Sequence, residues 1–243
     1  MTEKLWITDL LNHWLASPVN GFLGILGIHA GDAQAPIDNL FAMEVLVFAL
    51  LISFFLLVRA SLSVDRPGAL QHVVEGMEGF VGNQSHDMIG HGSDIFTPFL
   101  TSLGLFILLS NLIGLVPGFE SPTASPSVTL GCALVAWVYY QVHAFRHHGL
   151  AYVKHFAGPV WWLAPLMIPI EIISHLARMM SLTIRLYGNM FAGDMVTLVF
   201  FSLVPIGLPV LFMGVHIGVS LLQTYIFVLL TTIYLAGAVA EAH

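Results

Sequence analysis

The sequence predicts an all-α integral membrane protein in which about five helices cross the bilayer, the last two forming a long, strongly tilted hairpin. Three observations predict it. Of 243 residues, 57% are hydrophobic and only 9% charged, with a mean hydropathy of +0.88, against roughly 25% charged residues in soluble domains. Uncharged runs long enough to span hydrocarbon recur along the chain, at roughly 17 to 25 residues per crossing. A final apolar third, from Trp161 to the C-terminus, carries a cluster of charges inside otherwise membrane-compatible sequence.

The chain reads as one membrane domain, residues 1–243, with an outer-side N-terminal segment over 1–40. That segment opens with MTEKLWITDLLNHWL, which has acids and no long apolar core, unlike a cleavable secretion signal. Trp6, Leu10 and Trp14 recur at four-residue spacing beside Ile7 and Leu11, the pattern of a short helix lying in the membrane interface. Gly21 to Ile28 is apolar but too short to span. Three spanning helices are expected over 41–146. Phe41 to Val58 has one charge, Glu44, while Ile95 to Val116 and Val128 to Ala144 have none. Between the first two, 66–91 reads as a cytoplasmic amphipathic helix. Pro67 suits its first turn, and Leu70, Val73, Val74, Met77, Phe80 and Val81 form one apolar face.

The tilted hairpin is expected over 161–240. Trp161 to Leu203 would make a helix about 60 Å long, twice the hydrocarbon thickness of about 30 Å, so it must tilt or break. Pro205, Gly207 and Pro209 make a turn before the uncharged run Met213 to Ala240. Basic residues lie at Arg59 and Arg66 after the first span and at Arg146 and Lys154 after the third, with none between the second and third. By the positive-inside rule the N-terminus faces out and the C-terminus, Glu241 to His243, faces the cytoplasm.

Seven Lys+Arg against 14 Asp+Glu give a net charge of −7, which argues against a nucleic-acid partner. The single cysteine, Cys132, excludes an internal disulfide and reads as a small apolar helix residue. No GxxxxGKT phosphate-binding loop occurs, so ATP chemistry would belong to other chains.

The chemistry concentrates in Ser181 to Asp194, SLTIRLYGNMFAGD. An arginine at membrane depth costs roughly 2.5 to 3.5 kcal/mol on insertion scales, so it faces a bundle interior or a wet cavity. At 100° per residue, Glu171, His175, Arg178 and Arg185 fall within a sector of roughly 80°, and Asp194 faces the other side of a continuous helix. His216, Ser220, Gln223 and Tyr234 share one face of the last helix and could meet Asp194 across the hairpin. Carboxylates, histidines and amides relay protons through water without leaving a bare ion in hydrocarbon. A guanidinium stays protonated at physiological pH, attracts an acid and passes no proton on. Standing between two wet half-length cavities, it blocks direct flow and lets a passing carboxylate ionise.

In these residues the chain resembles subunit a of F-type ATP synthases. The likeness rests on Arg185, Leu186, Tyr187, Gly188, Asn189, Ala192, Gly193 and Asp194. It extends upstream to Ser181, Arg178 and Glu171 and downstream to His216, Gln223 and Tyr234. It also takes in Asn111, Leu112 and PTASPSVTL from Pro122 to Leu130. The resemblance implies a proton-translocating stator subunit with two aqueous half-channels and no catalytic site, metal or cofactor of its own. By that resemblance Arg185 faces the carboxylate of a rotating c-ring. Asn189, Asp194, His216 and Gln223 belong to the outer half-channel, Glu171 marks the cytoplasmic exit, and Ser181 and Tyr234 are secondary. Its implied partners are c-ring subunits, peripheral-stalk b subunits, membrane lipid and, indirectly, a soluble ATPase head, in a bacterial plasma (inner) membrane. The chain departs from the family pattern in having aspartate rather than glutamate at Asp194, Gly114 where some relatives carry an acid, and Met179 in place of a frequent proline.

Other readings stay open at this level. Arg185 could pair permanently with Asp194 or Glu171, Asp194 could cap a helix or pair with His216, and His216 with Gln223 could be ordinary interhelical glue. Glu171, His175, Arg178 and Glu44 could sit at the interface, and Gly188 and Gly193 could serve local helix packing. Two other classes compete. His143, His147 and His148 resemble one histidine box of a membrane metalloenzyme, although His86 and His91 form no second box. A secondary transporter with a midplane site would often show paired halves with broken helices in corresponding positions, whereas here the embedded charges cluster in Glu171 to Asp194 without a counterpart earlier in the chain.

Overall fold

Hydrocarbon offers no partner to a bare N–H or C=O, so an apolar chain of this length satisfies its backbone within helices. The computed structural model describes residues 5–25, 36–63, 68–90, 92–116, 118–149, 164–203 and 207–239. Arg66, Pro67, His91, Lys154, Trp161, Pro205 and the C-terminal 240–243 lie outside the described residues, and with them parts of the orientation argument and of the expected turns. The helices are α1 (Trp6–Ile25), α2 (Asn39–Ser61), α3 (Ala69–Ile89), α4 (Thr97–Ile113), α5 (Pro126–His148), α6 (Ala164–Leu203) and α7 (Leu208–Val239). Short 3-10 turns at Ser93–Ile95 and Pro122–Ala124 lead into α4 and α5. Among the described residues five segments are long and apolar enough to cross a membrane: α2, Ser93–Ile113, Pro126–His147, α6 and Val210–Val239. The protein is therefore an all-α, multi-pass membrane protein.

Local chemistry sets the boundaries. Asp38 starts α2 by accepting the Phe41 backbone N–H at 2.9 Å, and Pro126 occupies the first turn of α5, where its missing N–H costs nothing. Helix α1 lies against the start of α2. Asn12 exchanges two 3.0 Å hydrogen bonds with the Ile37 backbone, and the Thr8 hydroxyl donates to Asn39 Oδ1 at 2.8 Å. Trp6 and Trp14, 66% and 73% exposed, point away.

The centre of the bundle joins Leu103 and Ile107 of α4, Cys132, Ala133 and Ala136 of α5, Leu182, Leu186 and Met190 of α6, and Phe227 of α7. Ala133 and Ala136 are fully or almost fully buried and let α6 approach α5 closely. Helix α6 is a single 40-residue helix despite Pro169. Of the two outcomes the sequence allowed, it does not break. The expected apolar face of α3 divides: Met77 packs toward Val47, Leu51 and Leu105 and Val81 toward Leu100 and Val228, whereas Val73 and Phe80 turn outward.

Helix α4 stops at Gly114 because the chain folds back there. A Cβ on Gly114 would lie 2.6 Å from Ser121 Cβ and 3.1 Å from its backbone. That explains in physical terms why this chain cannot carry a larger side chain there. Beyond the turn, Ser121 Oγ donates to the Ser110 carbonyl at 2.9 Å and Thr123 Oγ1 donates to Asn111 Oδ1 at 2.5 Å, all four residues being buried. Gly114→Ala is expected to destabilise the protein by about 1–3 kcal/mol, as overpacking typically does. A lowered midpoint in thermal unfolding of the detergent-solubilised protein checks it, and an unchanged midpoint contradicts the steric account.

Candidate functional site

Helices α6 and α7 run antiparallel, and their polar residues meet in rungs. At one end His216 Nδ1 lies 3.7 Å from Asp194 Oδ1. Next, the Ser220 hydroxyl reaches Met190 Sδ at 3.9 Å, and the Asn189 amide donates to Gln223 Oε1 at 2.6 Å. Phe227 and Leu186 share the apolar core beyond them, and at the other end Arg178 lies 5.4 Å from the centre of the Tyr234 ring. His216, Ser220 and Gln223 are buried, as the shared-face arithmetic for the last helix requires.

Glycine makes the first rung possible. A Cβ on Gly193 would stand 3.0 Å from two atoms of the His216 imidazole, so the absent side chain is the space the ring occupies. His216 Nε2 is buried and has no hydrogen-bond partner among the described residues, which marks a place for a water molecule.

Arg185 lies on α6 between the Asn189 rung and Ser181. It is half-buried, and its Nη2 donates to Ser181 Oγ at 3.3 Å. Among the described residues no carboxylate comes within ion-pair distance of it. The two acids of α6 are engaged elsewhere: Asp194 with His216 and Glu171 with His175, whose Nε2 stands 3.4 Å from Glu171 Oε1. The intramolecular pairing of Arg185 left open by the sequence is therefore not formed.

The structure gathers Asn189, Asp194, His216 and Gln223 into one group and sets Glu171 and Tyr234 in another, toward the opposite end of the hairpin. Two residues of that second group escaped the sequence reading. His175, read there as interfacial, is buried, and its Nδ1 is 3.0 Å from the Tyr140 hydroxyl of α5. The four-residue spacing of Glu171 and His175 was visible in sequence; nothing local pointed to Tyr140, 35 residues away. His143 Nδ1 is bound to the Tyr139 carbonyl at 2.9 Å. Among the described residues no three His, Cys, Asp or Glu side chains converge on a metal site.

An all-helical bundle with a half-buried arginine that meets no carboxylate among the described residues, beside a ladder of amides, an acid and an imidazole between two helices, belongs among membrane proteins that handle ions rather than bulky solutes. Comparison narrows the class. Residues 41–236 match the family described as ATP synthase A chain. The chain is 59% identical over 244 residues to ATP synthase subunit a of Koribacter versatilis, covering all of both chains. It is 49% identical over 235 residues to that of Solibacter usitatus, 96% of this chain and 100% of the relative. With ATP synthase subunit a 1 of Syntrophotalea carbinolica it shares 46% over 198 residues, 82% and 84% of the two chains. The chain belongs to the ATP synthase subunit a family and is thereby a component of an ATP synthase complex. Membership sets aside the transporter and histidine-box readings.

Because Asn189 and Gln223 bond across the hairpin, a double-mutant cycle with Asn189→Ala and Gln223→Ala should return a coupling of about 0.6 kcal/mol, and at most about 1.7. Additive losses of unfolding free energy would show that the pair contributes nothing to holding the hairpin.

Proposed function

We propose that the chain is the proton-conducting stator subunit of a rotary F-type ATP synthase, and that Arg185 separates two aqueous half-channels which deliver protons to, and remove them from, a c-ring carboxylate. The observation that carries this reading is the state of Arg185. It is a half-buried cation with a hydroxyl neighbour at 3.3 Å and no acid of its own chain in ion-pair reach among the described residues. A charge in that setting is costly unless something compensates it, and a carboxylate arriving on another subunit does so. A permanent buried pair would resist separation by several kcal/mol, whereas a half-hydrated cation can release its visitor.

Asp194, His216, Asn189 and Gln223 then line the outer half-channel, and Glu171 marks the cytoplasmic exit, with Ser181 and Tyr234 secondary. Support comes from the geometry. The first four form continuous rungs at one end of the hairpin, the buried Nε2 of His216 leaves a position for water, and Glu171 stays about one-third exposed at the other end. Ser181 is the hydroxyl partner of Arg185. A proton entering from outside passes Asp194 and His216 to the rotor carboxylate. It is carried around with the rotor and leaves past Glu171, because the guanidinium accepts no proton and bars the direct route.

The same reading places the chain in a bacterial plasma (inner) membrane, N-terminus outside and C-terminus cytoplasmic, as a single membrane domain. Arg59 in the last turn of α2 and Arg146 at the end of α5 lie on the cytoplasmic side. Partners are the c-ring and peripheral-stalk b subunits within lipid. The soluble head that makes or splits ATP is coupled only through them, and the chain is no enzyme by itself.

In vesicles carrying the whole complex, Arg185→Ala should abolish ATP-driven proton pumping while the detached soluble head still hydrolyses ATP. Normal pumping by that variant would sink the proposal. Asp194→Asn and His216→Ala should each slow pumping roughly tenfold, about 1.4 kcal/mol in the barrier. Wild-type rates in both would remove them from the path.

A further inference from the structure

On the side of the bundle where α5, α6 and α7 meet, five polar side chains form a second cluster: Tyr140, Glu171, His175, Arg178 and Tyr234. We propose that His175 is a positioning residue that holds the Glu171 carboxylate in the exit path, and that Tyr140 sets the proton arrangement of its imidazole. The inference rests on the ion path proposed above and adds two residues to it.

The geometry is a line of three groups from two helices. Tyr140 is 2% exposed and its hydroxyl is 3.0 Å from His175 Nδ1, while His175 is 7% exposed and its Nε2 is 3.4 Å from Glu171 Oε1. Burying an imidazole costs free energy unless both ring nitrogens find partners, and here one faces a phenol and the other a carboxylate. When Glu171 is ionised, the phenol O–H donates to Nδ1, which leaves the ring proton on Nε2 pointing at the carboxylate. When Glu171 is protonated, its O–H donates to Nε2 and Nδ1–H donates to the tyrosine oxygen. One neutral ring therefore holds the acid in both protonation states, which suits a carboxyl group that must gain and lose a proton at every step.

The charged neighbours reinforce the point. Arg178 is seven residues beyond Glu171 on the same helix, but its guanidinium lies over the Tyr234 ring at 5.4 Å. Among the described residues it makes no ion pair. A permanent cation on Glu171 would lock it as a carboxylate; a histidine does not. The Tyr234 and Tyr140 rings, 6.2 Å apart, close the cluster from α7, so the cation–π contact and the histidine line share one wall.

The test uses the intact complex reconstituted in vesicles, with assembly checked by retention of the c-ring. His175→Leu is expected to slow ATP-driven proton pumping about tenfold, what one hydrogen bond to a charged group is worth. His175→Gln, which keeps an N–H donor at the position of Nε2, should recover most of the rate, and Tyr140→Phe should lose less than His175→Leu. Wild-type pumping by His175→Leu overturns the inference, and so does an assembled His175→Gln as slow as His175→Leu, since that would mean mere filling of space or a different histidine role. Should His175→Leu not assemble, Tyr140→Phe decides alone, with a reduced rate supporting the inference and an unchanged rate overturning it. Arg185→Ala in the same vesicles separates the two levels. If it is inactive while the His175 variants are normal, only the positioning role fails; if it pumps normally, the ion path itself fails.

Discussion

The rest of the structure depends on the scarcity of hydrogen-bond partners inside a bilayer. Every polar side chain at membrane depth has to be answered from within the protein or by trapped water, and the chain meets the demand in two ways. Five threonines satisfy themselves: Thr183, Thr197, Thr224, Thr231 and Thr232 each donate to the carbonyl four residues back, at 2.8 to 2.9 Å. They need nothing from a neighbouring helix. Asn189 with Gln223, Asp194 with His216 and His175 with Tyr140 are answered across helices, and so they fix how α5, α6 and α7 sit against one another. Structure and candidate function thus draw on the same atoms, and the polar contacts that hold the hairpin also line the proposed path.

Arg185 stands out against that accounting. Its neighbours in sequence are absorbed: Leu186 and Met190 into the core, Asn189 into a rung, and the flanking acids onto histidines. The division of partners is chemically sensible, because an acid held by an imidazole can still exchange its proton, whereas an acid held by guanidinium cannot do so readily. Keeping Arg185 away from its own chain's carboxylates preserves both the acids' freedom to titrate and the cation's freedom to attract.

Much of this was legible in the sequence, because a bilayer imposes simple rules on length and charge. The spans follow from long apolar runs; the structure lengthens the first and third for local reasons, the Asp38 cap on α2 and the proline at the start of α5, and ends the second at Ile113, short of the expected Val116. Helical periodicity likewise put His216, Ser220 and Gln223 on one face, since that property belongs to a single helix. What periodicity cannot supply is which faces meet. Tyr140 and His175 are brought together by the packing of α5 on α6, and the outward turn of Phe80 is decided by where α4 and α7 lie. The steric need for Gly114 arises from a fold-back onto Ser121 that no local pattern announces.

The long outer flank of α6 carries one more consequence. In its most apolar stretch only 11% of residues are buried, against 56% for the segment that contains α4, and Ile172, Leu176, Met180 and Ile184 project outward at successive four-residue steps. Such a ridge offers a neighbour dispersion contacts and no directional bonds to break, so its energy profile against a moving surface is shallow. Any helix or lipid tail beside that flank would be held by contact area alone and could shift along it without breaking a bond.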